Sequence, residues 1–287
     1  MKDWSEKEAV RMEERMDEQG RRGSVITVFS TASAVGKTLV AINMAAELAR
    51  LGFRVCLVDS DLQFGDVCNY LHLVPERTIA DAQRAAETNA DDFDVMQFLD
   101  VYQCDTISFS VMAAPLRLDE AYNMSGMSVQ HILQKLQFHF DFVVVDTTSA
   151  FSKTNLMIMD MSTIITFLGI VDFIPTIKNM KIGSDTIRSL GYESSKIRLV
   201  LNRSNSKTKI DLADVEHILG EPFYHILSND FGAAWDATMA GVPLVRSANT
   251  ALARDLRALV ARLTNLEVED QADSNTGVSS WFKRIFN

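Results

Sequence analysis

The sequence predicts an α/β fold: a doubly wound, mostly parallel sheet flanked by helices. Three observations predict it. Short β-branched apolar runs alternate with segments of helix length from Ser24 onward. A Gly36-Lys37-Thr38 tripeptide stands where one such run meets one such segment, and two further runs end on Asp59 and Asp146. Unbroken apolar strands suit a sheet covered on both faces, and strand then helix, repeated, means right-handed crossovers with parallel pairing.

Taken in order, strands are expected over residues 25–30, 54–59, 107–112, 142–146, 163–168, 197–202 and 224–227. Helices are expected over 37–51, 78–87, 92–101, 125–138, 172–190, 212–219, 231–240 and 251–263. These belong to one domain, residues 23–266, since large α/β domains exceed the commonest domain size without splitting. Residues 1–22 carry seven acidic and six basic side chains and form a charged arm, read as a solvated helix or partly disordered segment rather than a docking helix. Residues 267–278, within the acidic and Ser/Asn/Gly-bearing stretch EVEDQADSNTGVSS, read as a flexible linker before a short tail at 279–287.

Composition narrows the function classes. The chain has 287 residues, 47% of them hydrophobic, and no uncharged apolar run reaches the roughly eighteen residues of a membrane span. Its start is charged from the second residue, unlike a secretory signal, so a cytoplasmic protein is expected. Cys56, Cys68 and Cys104 form no CxxC pair and the five histidines are scattered, so both types are read as structural. A net charge of −10 opposes bulk attraction to a polyanion, and no specific nucleic-acid partner is expected.

The chemistry gathers at the first strand–helix junction. Helix N-termini present unpaired N–H groups and the positive end of the dipole, which suits a triphosphate. Lys37 would contact the β and γ phosphates, and the Thr38 hydroxyl would hold magnesium. The full G-x-x-x-x-G-K-[ST] pattern fails at Thr31, and an isolated GKT is also compatible with an ordinary capped helix start. Asp59 and Asp61, in CLVDSD, and Asp146, in FVVVD, add carboxylates at strand ends, where ligands of open α/β sheets sit. Either aspartate alone could be a turn or cap residue; the three sites together describe one magnesium–phosphate centre.

On these residues the sequence resembles the MinD/ParA family of P-loop ATPases, whose phosphate loop reads KGGxGK[ST], followed by D-x-D and a later apolar run ending in Asp. The resemblance covers about residues 24–265. Within the family it is similar to the pilus-assembly branch of CpaE and TadZ, through DLQFGDV at 61–67, TIADA at 78–82, MAAP at 112–115, VLNRSNSKTKI at 200–210 and ILSNDFGAAWDATMAGVPLV at 226–245. The resemblance implies ATP and Mg2+ as cofactors. It implies that Lys37 and Asp61 are catalytic, with Asp61 orienting the attacking water, and that Thr38, Asp59 and Asp146 form the metal shell. It places Ser33, Ala34, Val35, Gly36 and Leu39 around the phosphates, and Asn202, Arg203, Leu227, Ser228, Asn229 and Asp230 around the adenine. Two departures stand out. The signature lysine of the family, which reaches the partner's phosphates across a dimer, falls on Ala32, and its paired glycines fall on Ser33 and Ala34. Nucleotide binding with slow hydrolysis is the expectation.

In the tail, Trp281, Phe282, Ile285 and Phe286 share one helical face, with Lys283 and Arg284 on the other. That is the pattern of an interfacial helix on anionic lipid, and it resembles the membrane-targeting sequence of MinD; the alternative is a tail packed back on the domain. Together these readings describe a homodimer at the inner face of the cytoplasmic membrane that positions pilus or secretion assembly proteins. A division-site or flagellar-number regulator, a DNA-partition ATPase and a metabolic P-loop ligase are the alternatives.

Overall fold

The computed structural model describes residues 22–89, 93–204 and 210–265. One eight-stranded sheet organises them. Its strands are β1 (Ser24–Phe29), β2 (Val55–Asp59), β3 (Asp100–Cys104), β4 (Ile107–Met112), β5 (Phe142–Asp146), β6 (Ile164–Gly169), β7 (Ile197–Ser204) and β8 (His225–Ser228), in the spatial order β3-β4-β2-β5-β1-β6-β7-β8. Every pair is parallel except β3 with β4.

The helices are α1 (Lys37–Arg50), α2 (Val67–Leu71), α3 (Ile79–Thr88), α4 (Leu118–Asn123), α5 (Gly126–His139), α6 (Lys153–Met161), α7 (Ile174–Ser189), α8 (Leu212–Leu219), α9 (Phe231–Ala240) and α10 (Ala251–Leu263). The two-residue period of β1 divides them between two faces. Ile26 and Val28 join α1 and α10 in one core, whereas Val25 and Phe29 face α3, α5, α7 and α8 on the other side. The sheet is therefore doubly wound, as expected.

Local chemistry sets the helix limits. Thr250 caps α10 by accepting from the Ala253 amide, and the stripe Leu252, Leu256, Leu259, Val260 and Leu263 buries one face. Ser125 caps α5 by the same device, and Thr78 with Asp81 forms a reciprocal capping box on α3. Glu47, inside α1, is almost fully buried and is held by Arg50 at 2.7 Å and Arg257 at 3.7 Å.

One expected helix is absent. Residues 92–101 were expected to be helical, and Val95, Phe98 and Leu99 do have helical spacing. Instead a 3-10 turn covers Val95–Phe98, capped by the Asp94 side chain at the Met96 amide, and β3 begins at Asp100. Strand pairing outweighs the local period here. Tyr102 turns inward, lies 5.1 Å from the Phe109 ring across the hairpin, and donates its hydroxyl to the Gly241 carbonyl at 2.8 Å. Helices α2, α4 and α6 were not expected, and at five, six and nine residues they are too short to display a clear period.

The charged arm up to residue 21, the linker 267–278 and the tail residues Trp281, Phe282, Lys283, Arg284, Ile285 and Phe286 lie outside the described residues. Among the described residues, no helix is long and apolar enough to cross a membrane.

Candidate functional site

The carboxyl ends of β1, β2, β5 and β7 converge on the N-terminus of α1. The chain winds from β1 to one side of the sheet through β2 and β4, returns to β5, and then crosses to β6 on the other side. Reversals of that kind leave a crevice outside the strand ends, and the predicted residues gather at this one.

The phosphate loop, residues 30–36, is built on two left-handed backbone positions. Gly36 caps α1 at φ 94°, and a side chain there would also approach Asn202 Nδ2 at 2.7 Å, so glycine is required twice over. Ala34 has φ 58° and no such freedom. A left-handed alanine carries a strain of about 1 to 2 kcal/mol. Glycine would relieve that strain, while its larger unfolded-state entropy offsets part of the gain, so Ala34→Gly is expected to stabilise the domain by about 0.5 to 1 kcal/mol, seen as a rise of a few degrees in melting temperature.

Side chains of β7 and of the residues just beyond β1 and β5 hold the carbonyls of this loop. Asn202 Nδ2 donates to the Val35 carbonyl and Arg203 Nη2 to the Ala34 carbonyl, both at 2.8 Å. Ser30 and Ser149 both donate to the Ala32 carbonyl, at 2.7 and 2.8 Å. With three carbonyls engaged from outside and the first turn of α1 lacking intrahelical acceptors for its N–H groups, the junction is a ready anion site. Val35 is buried and anchors the loop in the core, while Ser33 is exposed and Leu39 packs partly against that core.

The titratable groups meet where expected. Thr38 Oγ1 donates to Asp146 Oδ2 at 2.6 Å. Asp59 stands directly opposite Asp146 in the β2–β5 register, and its two oxygens accept from the amides of Asp61 and Val67, each at 3.1 Å. Gly65 lets the 60–66 loop close over it, because a Cβ there would fall against Asp59 Oδ2 and Ala114. Burial pushes the Asp146 carboxyl up to about 7, against the Thr38 hydrogen bond and the charge of Lys37, which pull it down. Burial and the neighbouring Asp146 raise Asp59 well above the usual carboxylate range. Burial lowers Lys37, while the charges of Asp146 and Asp61 raise it. Asp61 itself accepts from the Phe64 amide at 3.2 Å.

Two nearly fully buried carboxyl groups side by side, one with an oxygen that has no partner among the described residues (Asp146 Oδ1), are a site short of positive charge. A magnesium ion fits this donor set. Among the described residues no three His, Cys, Asp or Glu side chains are placed to hold a metal by themselves, and magnesium is ordinarily held by one or two carboxylates, a hydroxyl, waters and substrate phosphates.

The residues expected near the base divide. Asn202 and Arg203 reach the phosphate loop, as described. Leu227 is fully buried in the core, the Ser228 amide is taken by Asp255 at 2.8 Å, the Asn229 amide by the Ser204 carbonyl at 3.0 Å, and Asp230 caps α9 through the Ala233 amide. Sequence reasoning passed over Ser30 and Ser149. Isolated serines carry no spacing signal, and only their position beside Ala32 singles them out.

Comparison with known proteins adds to this geometry. The sequence pattern described as the CobQ/CobB/MinD/ParA nucleotide binding domain matches residues 26–236. Residues in a 57-residue stretch are 49% identical to the antiactivator FleN of Pseudomonas aeruginosa, covering 20% of this chain and 20% of that protein. The chain thus spans about a fifth of that relative, whereas its likeness to the septum site-determining protein MinD of Thermotoga maritima, 20% identical over 250 residues, covers 84% of this chain and 88% of MinD. In fold it is similar to a ParA family ATPase of Chlorobium tepidum, with a TM-score of 0.76 at 17% identity over 84% of this chain and 99% of the other.

Proposed function

Because this chain belongs to the CobQ/CobB/MinD/ParA nucleotide-binding family, we propose that it is an ATP- and magnesium-binding homodimer, weakly hydrolytic, that attaches to the inner face of the cytoplasmic membrane and positions pilus or secretion assembly proteins. The observation that carries the nucleotide reading is the convergence of Lys37, Thr38, Asp59 and Asp146 at the mouth of the phosphate loop. Lys37 would neutralise the β and γ phosphates, and Thr38, Asp59 and Asp146 would hold the metal, whose positive charge stabilises charge developing on the transferred phosphoryl. Asp61, at the edge of this group, would orient the attacking water.

Slow turnover follows from Ala32. A cation aimed at the transferring group is worth several kcal/mol in the transition state, and alanine supplies none. Turnover is expected to lie well below that of lysine-bearing relatives, and Ala32→Lys is expected to raise phosphate release by tenfold or more. Rapid release by the unmodified chain, abolished by Asp61→Ala, would show that another cation does this work.

Membrane attachment rests on the tail. Trp281, Phe282, Ile285 and Phe286 would each contribute on the order of 1 to 3 kcal/mol on entering the interface, less the ordering of a helix that is marginal in water. One tail holds transiently; two on a dimer hold through effective concentration, with Lys283 and Arg284 making attachment weaken as salt rises. Truncation after Ser280 is expected to release the chain from anionic vesicles in co-sedimentation without lowering its melting temperature. Equal pelleting, or a marked fall in melting temperature, would assign the tail to the core.

A second reading is a regulator of division site or flagellar number, and the likeness to the septum site-determining protein MinD supports its division-site form. Gene deletion separates the two. Loss of pili with normal division and flagellation supports the first reading, whereas minicells or altered flagellar number supports the second.

A further inference from the structure

Ser149 lies in the string DTTSA just beyond β5, and its hydroxyl connects three segments of the site. It accepts from Lys37 Nζ at 2.8 Å, donates to the Ala32 carbonyl at 2.8 Å, and sits 3.1 Å from Ser30 Oγ, which donates to the same carbonyl at 2.7 Å. Each hydroxyl has a single proton and two lone pairs, and the two serines reach Ala32 while lying within hydrogen-bond distance of each other. Ser149 therefore presents a lone pair to Lys37, and the ammonium, which has only protons to give, is its natural complement. The resulting chain, from the Lys37 ammonium through the Ser149 hydroxyl to the Ala32 carbonyl, polarises along one direction.

The segment bearing Ser149 is not a loose loop. Asn155, buried in the first turn of α6, donates through Nδ2 to the Thr148 carbonyl at 3.2 Å, to Thr148 Oγ1 at 2.9 Å and to the Ala150 carbonyl at 2.7 Å. Ser152 caps the same helix through the Asn155 amide at 3.1 Å. Residues 148–152 and the start of α6 are thus stitched into one unit, tied to the phosphate loop and to Lys37 at Ser149.

We propose that Ser149 is a positioning residue: it fixes the ammonium of Lys37 for a phosphoryl group and, through the same hydroxyl, passes the arrival of that group to the loop after β5 and the start of α6. The inference rests on the nucleotide reading above and adds to it the element that responds. The ammonium has three protons, so it can keep Ser149 while it gives another to a phosphate oxygen; the pull of that oxygen on Lys37 then reaches Ser149 and the unit stitched to it.

The full-length chain and its Ser149→Ala, Ser149→Thr, Ser149→Cys and Lys37→Ala variants test this by ATP titration and by amide hydrogen exchange of residues 147–156 with and without Mg-ATP. In the unmodified chain, ATP is expected to change exchange across this segment. Ser149→Ala and Ser149→Cys, one lacking the hydroxyl and the other replacing it by a poor acceptor, are expected to weaken ATP binding roughly five- to tenfold and to leave exchange of the segment insensitive to ATP. Ser149→Thr, which keeps the hydroxyl, is expected to restore both. If Lys37→Ala loses ATP while the alanine and cysteine variants keep wild-type affinity and exchange response, the role of Ser149 is overturned and the nucleotide site stands. If Lys37→Ala binds ATP as the unmodified chain does, the nucleotide reading itself fails.

Discussion

Replacing Lys37 by alanine is expected to weaken ATP binding by a hundredfold or more. Lys37 is half-buried, beside Asp146 and Asp61, and its ammonium is the cation that the phosphate loop itself supplies. A nucleotide bound without it would bring its phosphates toward Asp59, Asp61 and Asp146 with one positive charge fewer to offset them. Removing one partner of a desolvated charge pair costs about 3 to 5 kcal/mol, and each 1.4 kcal/mol is about a factor of ten in affinity. Displacement of a fluorescent ATP analogue measures this directly. Equal affinities for the two forms would mean that the nucleotide, if bound, is not held at the α1 N-terminus.

Asp146→Asn has opposite effects on the chain alone and on the chain with nucleotide. In the absence of metal, the Asp146 carboxyl keeps its proton to about pH 7, whereas an unfolded aspartate loses it near pH 4. The folded state then binds more protons than the unfolded state between those values. The stability that Asp146 contributes is accordingly full below about pH 4 and is lost as pH rises toward about 7. Asparagine, neutral at every pH, removes that loss. The variant is expected to melt at a higher temperature than the unmodified chain at pH 8, by several degrees, and at much the same temperature at about pH 4, both in chelator. With nucleotide the order is expected to reverse, because the variant would lack the negative oxygen proposed to hold magnesium, and the stabilisation by Mg-ATP should be largely lost. Thermal melts at the two pH values, in chelator and in Mg-ATP, check both halves. A variant that melts lower at pH 8 in chelator would show that Asp146 is ionised and well paired without metal.

Much of this site was legible because its chemistry sits at fixed places in the repeated strand–helix unit. Lys37 and Thr38 open a helix, and Asp59 and Asp146 close apolar strands, so periodicity alone brings them to one edge of the sheet. The loop between β1 and α1 was less legible. Thr31 occupies a glycine position, and what makes room for it is Gly183 far along the chain, on α7, where a Cβ would collide with the Thr31 methyl. Ser30 and Ser149 matter through a shared carbonyl, which leaves no trace in spacing. Asn202 and Arg203 came from resemblance, and the structure supplies their physical reason, the two loop carbonyls they hold. Strand β3 was hidden for a different cause. Its alternation is carried by one inward side chain, Tyr102, and the neighbouring Val95, Phe98 and Leu99 imitate a helix more strongly than five residues can declare a strand.

The most direct test of the nucleotide site is calorimetric titration of the full-length chain with ATP, in magnesium and then in chelator, at pH 8. One nucleotide per chain is predicted, bound at least tenfold more tightly with magnesium, because the ion would satisfy the Asp146 oxygen that has no partner among the described residues and offset its burial beside Asp59. No binding at millimolar ATP, or binding with the same affinity in chelator, would contradict the assignment of Thr38, Asp59 and Asp146 to a magnesium–phosphate centre.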